Sequence, residues 1–175
     1  MGDSAVWVAA LTGATAVVAS WVTNLGNVRA ARAQAEASAA AERAGRVRES
    51  RRAAYLELMA RAHDMSELYR KVVDAGFQLG DGDAYLARIQ ELRRSVREAY
   101  APLMRCVRTI ALEGPAGAAS AARTLLGAAT EVSRSLWQVA RGEPEARSRF
   151  ETARESYAVC LERFVDAARA AMEAP

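Results

Sequence analysis

YLARIQELRRSVREAYAPLMRCVRTI, residues 85–110, sets Tyr85, Ile89, Leu92, Val96, Ala99, Leu103, Cys106 and Ile110 at alternating steps of four and three. Apolar side chains repeated in that way share one side of an α-helix, and a repeat held this long means packing against other helices along the whole length. Pro102 falls inside the run. It removes one backbone donor and crowds the carbonyl four residues earlier, so a kink is expected between Glu98 and Pro102, with the helix resuming beyond it.

The same period continues on either side. Upstream, Tyr55, Leu58, Ala62, Met65, Tyr69 and Val72 line one face of a helix expected to end near Gly76, after which GFQLGDGD supplies a loop and Asp83 is placed to cap the next helix. Downstream, Gly114 and Pro115 stop one helix and start another. That third helix runs to about Arg141 with Ala122, Leu125, Ala129, Val132, Leu136 and Val139 inward. Gly142 and Pro144 repeat the punctuation, and a fourth helix carries Phe150, Ala153, Tyr157, Cys160 or Leu161, Phe164, Ala168 and Met172. Four helices of similar length on short connections predict an all-α, antiparallel up-and-down four-helix bundle over residues 55–175. About 120 residues is an ordinary size for one such core.

Ahead of the bundle the chain changes character. Residues 5–28, AVWVAALTGATAVVASWVTNLGNV, hold no charged side chain. As a helix these 24 residues would measure roughly 36 Å, enough to cross a hydrocarbon core of about 30 Å. Trp7 and Trp21 then fall near opposite interfaces, and Gly13 lies among small residues (Ala9, Ala16, Ser20) on one face where two spans can approach closely. The start, MGDS, lacks the basic residues of a secretory signal, so residues 1–28 are read as an N-terminal transmembrane helix. The competing reading is a buried N-terminal helix of a soluble bundle. Residues 29–54 are rich in alanine and arginine with high helix propensity and little to bury, which predicts either a helical stalk or a charged linker, with bending or fraying at Gly26 or Gly45.

The net charge of +3 is unevenly spread. Residues 29–52 carry seven Arg against Glu36, Glu42 and Glu49, whereas residues 53–175 carry seventeen basic and seventeen acidic side chains. The excess therefore lies beside the span. Arg29, Arg32, Arg43 and Arg46 predict a cytoplasmic location for the C-terminal domain and attraction to anionic lipid of about 1 kcal/mol each near the surface. A nucleic-acid interface should show its basic face within the folded part, which is neutral overall, so no nucleic acid is expected as a partner. Arg93, Arg94 and Arg97, with Arg105 and Arg108 beyond, give the second helix a basic bias that offers a surface to an acidic protein partner.

Catalytic and metal signatures are weak throughout. His63 is the single histidine and has no carboxylate three residues before it, so the Glu-x-x-His pairs of di-iron bundles cannot be built. Cys106 and Cys160 are far apart, which suits reduced thiols in a cytosolic core and not a zinc site. The glycines and aspartates of residues 76–83 lack the strand and spacing of a phosphate loop and the twelve-residue ligand spread of an EF-hand. Glu57 with Arg61, Glu67 with Lys71 and Glu145 with Arg149 are expected as solvated pairs worth a few tenths of a kcal/mol.

The stretches RRAAYLELMARA (residues 51–62) and LEGPAGAASAARTLL (residues 112–126) resemble a loose class of small actinobacterial proteins with one N-terminal transmembrane helix and a cytoplasmic helical bundle. The resemblance covers less than a sixth of the chain and implies no catalytic residue or cofactor. The expectation is a non-enzymatic scaffold or protein-interaction module, single-pass in a bacterial cell membrane, whose partners are the lipid bilayer, a protein, and a second copy met through the span or the bundle. The alternative is an extracytoplasmic bundle of opposite topology that senses a ligand between its helices.

Overall fold

The computed structural model describes residues 31–80 and 82–173 in full, and of residues 3–30 the helical backbone alone. Four α-helices follow in order: α1 (Asp3–Leu79), α2 (Asp83–Glu113), α3 (Ala116–Val139) and α4 (Ala146–Glu173). The chain divides into two units, Met1–Val47 and Arg48–Pro175. In the first, residues 31–47 are helical with every side chain exposed, and no break occurs at Gly45. Alanine, arginine and glutamate favour the helix strongly enough for one glycine, costing about 1 kcal/mol, to be carried within it. The helical backbone also runs unbroken through Gly26, the other expected bending point.

Within Arg48–Pro175 the helices pack antiparallel, α1 on α2, α2 on α3 and α3 on α4. Aromatic contacts between α1 and α4 close the ring. Tyr55 meets Phe164 edge-on at 6.1 Å, and Tyr69 meets Phe150 at 6.3 Å and Tyr157 at 5.3 Å, the T-shaped arrangement that sets positive ring edges on negative faces. The predicted inward positions are buried as a set: Leu58, Met65, Ile89, Leu103, Leu125, Leu136 and Phe164 have no accessible surface. Ala99, Ala153, Leu161 and Met172 sit half-buried at the margin. Val107 is buried beside Cys106, because α2 lies between α1 and α3 and must present a face wider than a two-position seam.

The helix ends differ from expectation in instructive ways. α1 continues past Gly76 to Leu79 and stops at Gly80, whose φ of +64° is the left-handed conformation that glycine adopts without steric cost. Gly82, and not Asp83, is the N-cap of α2, and Asp83 becomes the first helical residue with no side-chain cap bond. Its carboxylate still sits in the first turn, where the helix dipole favours it. α3 ends at Val139, and a glycine in the left-handed region, Gly142 (φ +66°), lets its own N–H reach Val139 O while that of Glu143 reaches Gln138 O. α2 passes through Pro102 without interruption.

Candidate functional site

Three buried or half-buried hydroxyls inside the bundle tie one helix to another or to itself, whereas the buried Tyr55 hydroxyl and Arg154 Nε have no hydrogen-bond partner among the described residues. Tyr157 donates to Ala62 O at 3.0 Å across α4 and α1, Tyr69 donates to Ala129 O at 3.5 Å across α1 and α3, and the buried Ser135 hydroxyl donates to Glu131 O at 2.8 Å. Burial pushes the Tyr69 and Tyr157 hydroxyls well above the ordinary tyrosine range, so both stay neutral donors. Cys106 lines a cleft between α1 and α2 with Glu57, Arg61 and Arg105, and burial, seconded by the Glu57 carboxylate, pushes its thiol up. A thiol held away from its thiolate is a poor nucleophile. Among the described residues no group of three or more His, Cys, Asp or Glu side chains stands close enough to hold a metal ion.

The residues singled out from the sequence fall into separate places. Trp7, Gly13, Trp21 and Arg29 lie outside the residues whose side chains are described. Among the described residues no helix is long and apolar enough to cross a membrane. Arg32, Arg43 and Arg46 are exposed on the helical segment 31–50, where Arg43 Nε donates to Ala39 O at 3.0 Å. On α2, Arg94 and Arg97 are exposed and Arg93 is half-buried, and none of the three has an ion-pair partner among the described residues. At 100° per residue, Arg94, Arg97, Arg105 and Arg108 share an arc of about 80° with Ala101 between them and the exposed Leu112 at its end. His63 is exposed on α1.

No protein-family model, curated protein or solved structure matches this chain.

The expected surface pairs are partly rearranged. Glu57 and Arg61 stand 3.9 Å apart, with Arg61 also 3.7 Å from Asp64. Glu67 pairs with Arg70 and not Lys71, and the bond from that guanidinium holds the Glu67 carboxyl below the usual carboxylate range. Arg149 turns from Glu145 to donate to Pro144 O at 2.7 Å and Gln138 Oε1 at 3.4 Å, because Glu145 has a left-handed backbone (φ +59°) just before α4. At these exposures each pair is worth little.

One concavity lies at the end of the bundle where α1 gives way to α2. It holds about 270 Å³ and is lined by Val72, Val73, Gly76 and Phe77 of α1, Tyr85 of α2, Val139 of α3, and Arg147, Phe150 and Glu151 of α4. Arg147 crosses its edge, with its guanidinium 4.4 Å from the Tyr85 ring centre and one nitrogen 3.4 Å from Gly80 O. Phe77, at the lip, is 84% exposed, and Leu79, Leu86 and Trp137 are exposed towards the same end. The sequence assigned residues 76–83 to a loop, which hid this surface. The available signal was Phe77 itself, four residues beyond Val73 on a helix that had no need to stop at Gly76.

Proposed function

We propose that the chain is a membrane-anchored, non-enzymatic interaction module, held by residues 5–28 at the cytoplasmic face of a bacterial membrane with the bundle of residues 55–175 as its presenting part. The observation that carries this reading is the step in the sequence from 24 uncharged residues to a segment with seven arginines against three glutamates. The exposure of every side chain from residue 31 to residue 50 supports it, since a helix that buries nothing suits a spacer between an anchor and a folded domain. Trp7 and Trp21 act as interfacial anchors, Gly13 lies on the small-residue face of the span, and Arg29, Arg32, Arg43 and Arg46 hold the orientation and meet anionic headgroups. The interior supports a binding role: the Tyr69 and Tyr157 hydroxyls are engaged with backbone carbonyls, and burial pushes up the Cys106 thiol at the α1–α2 cleft.

Fractionation of cells expressing the full chain tests the anchor. The protein should stay in the membrane pellet through an alkaline wash and leave it only with detergent, and release by the wash would overturn the reading. Protease added to intact spheroplasts tests orientation: the bundle should survive until the cells are broken. Cleavage from outside would establish the opposite topology and favour a ligand-sensing bundle.

A further inference from the structure

The neutrality of the bundle hides a separation of charge. On α4, Glu151, Glu155, Glu162, Asp166 and Glu173 are all exposed and, at 100° per residue, fall within an arc of about 60° that runs about 33 Å along the helix. The buried side of α4, which holds Tyr157, Cys160 and Phe164, faces the other way. Among the described residues Arg169 is the one arginine within that acidic arc, and it pairs with Asp166 at 3.4 Å. Glu151, Glu155, Glu162 and Glu173 have no hydrogen bond or ion pair among the described residues. α2 carries the converse. Its outward arc of Arg94, Arg97, Arg105 and Arg108 has Glu98 at its border and no other carboxylate along that stretch. Arg94, Arg97 and Arg105 are without a hydrogen bond or ion pair among the described residues, and Arg108 reaches the neutral Met104 sulfur at 3.6 Å.

α2 and α4 each pack between α1 and α3, so they occupy opposite corners of the bundle, and because both are antiparallel to α3 they run in the same direction. Their heights agree as well. Tyr157 bonds to Ala62 of α1, while Glu57 and Arg61 of α1 share a cleft with Arg105 of α2, so Arg105 stands roughly level with the stretch from Glu155 to Glu162. A copy displaced sideways without turning therefore sets its basic α2 against the acidic α4 of its neighbour, with arginines within about one turn of the carboxylates. We propose that the bundle self-associates side by side through these two faces. The occupant of each face is a second copy of this chain, selected because the two faces match in sign, direction and height and their charges are largely unpaired within the chain. An interface made of two different patches leaves one of each free on every pair, so growth continues past the dimer. Exposed ion pairs are individually weak and screened by salt, so association in solution needs low ionic strength, and confinement of like-oriented copies to one plane raises their effective concentration. The proposal deepens the interaction reading above by naming one partner, but it rests on the bundle and not on the anchor, and it survives if residues 5–28 prove not to span a membrane.

The test uses the full chain purified in a non-ionic detergent, with the protein mass of the particle read by sedimentation over about 1–100 µM in about 20 mM and about 500 mM sodium chloride. At low salt the mean mass should rise with concentration past that of a dimer, and at high salt the rise should vanish. Reversing the basic face (Arg97→Glu, Arg105→Glu and Arg108→Glu together) or the acidic face (Glu155→Arg, Glu162→Arg and Glu173→Arg together) should weaken association by roughly tenfold or more, because like charges then meet. Mixed in equal amounts the two variants should associate again, since each meets the opposite sign on both faces. Both should keep the wild-type circular dichroism, because every substituted side chain is exposed. Gly13→Leu, which alters the small-residue face of the span, should leave the salt-dependent growth in place. A wild type that does not grow at low salt, growth indifferent to salt or to the reversals, a mixture that associates no better than its components, or loss of growth in Gly13→Leu would each overturn the proposal. Release of the chain from membranes by alkali overturns the anchor and leaves this association standing.

Discussion

The Tyr157 hydroxyl donates to the carbonyl oxygen of Ala62 at 3.0 Å, joining residues 95 positions apart across α4 and α1. It sits between two aromatic contacts, with the Tyr157 ring edge-on to Tyr69 and Tyr69 in turn edge-on to Phe150. A second buried tyrosine on the same α1 face behaves differently: the Tyr55 hydroxyl has no hydrogen-bond partner among the described residues. Burial raises the Tyr55 hydroxyl above its ordinary range, with Arg51 opposing the shift.

The contrast predicts opposite outcomes for one chemical change. Tyr157→Phe removes a made bond and should destabilise the bundle by about 1 kcal/mol, whereas Tyr55→Phe removes a desolvated group with nothing to bond and should be neutral or stabilising by about 1 kcal/mol. Urea titration of the two variants beside wild type reads the difference directly. Equal losses in both would show that the Tyr55 hydroxyl is satisfied in solution.

Tyr69 and Tyr157 also predict how the bundle meets alkali. Both have folded pKa values raised above the unfolded value of about 10, so the unfolded chain gives up these protons first. The stability they contribute is complete below pH 10 and falls as the pH rises beyond it towards their folded values. Melting temperature should therefore decline from about pH 10 upward, and the Tyr69→Phe, Tyr157→Phe double variant should decline less steeply. A slope unchanged by the double variant would place the alkaline sensitivity elsewhere.

Gly114 joins α2 to α3 with its N–H 2.8 Å from Ile110 O. A Cβ at this position would fall 2.7 Å from that same oxygen and 3.2 Å from Ile110 Cγ2. Gly114→Ala must therefore move the connection off a fully buried isoleucine, at a cost of about 1–3 kcal/mol. At Gly117, where a Cβ meets nothing within 4 Å inside α3, alanine should instead stabilise by up to about 1 kcal/mol. Thermal melts that rank the two substitutions otherwise would contradict the packing at the α2–α3 turn.

Glu145 holds a left-handed backbone, φ +59°, while its carbonyl accepts the N–H of Arg149 at 3.1 Å to open α4. An L-residue pays roughly 1–2 kcal/mol for that conformation, so Glu145→Gly should raise stability by about 1 kcal/mol after the greater flexibility of the unfolded glycine is allowed for. Glu145→Val, β-branched and with the same backbone demand, should lower it. Denaturant midpoints of the pair test the assignment.

Inward faces were legible without coordinates because they obey a local rule. Leu58, Ile89, Leu125 and Phe164 each lie at the spacing that puts them beside their neighbours one turn away, whatever packs on top, and each is buried. Caps were less legible. Asp83 is a good capping residue, yet Gly82 takes the position because the turn from Leu79 needs the left-handed Gly80 first, and the chain then enters α2 one residue early. Phe77 was misplaced for a related reason: Gly76 is a common stop signal, but nothing clashes there. Its missing side chain leaves room beside Tyr85, 3.9 Å from where a Cβ would lie, and the helix carries on.

The amino-acid order by itself determined the number of helices in the bundle, the side of each that turns inward, and the unequal spread of charge along the chain, but not that the first bundle helix is continuous with the segment before it. These depend only on a residue and its neighbours within two turns. Tertiary packing alone decided that Tyr157 meets Ala62, that the Tyr55 hydroxyl has no hydrogen-bond partner among the described residues, that Val107 is covered, and that Phe77 stands uncovered beside a hollow with Arg147 and Glu151 at its edge. Those facts depend on the axial register between helices whose residues are far apart in the chain. A period of 3.6 residues per turn fixes which face is buried but not how far one helix slides along the next.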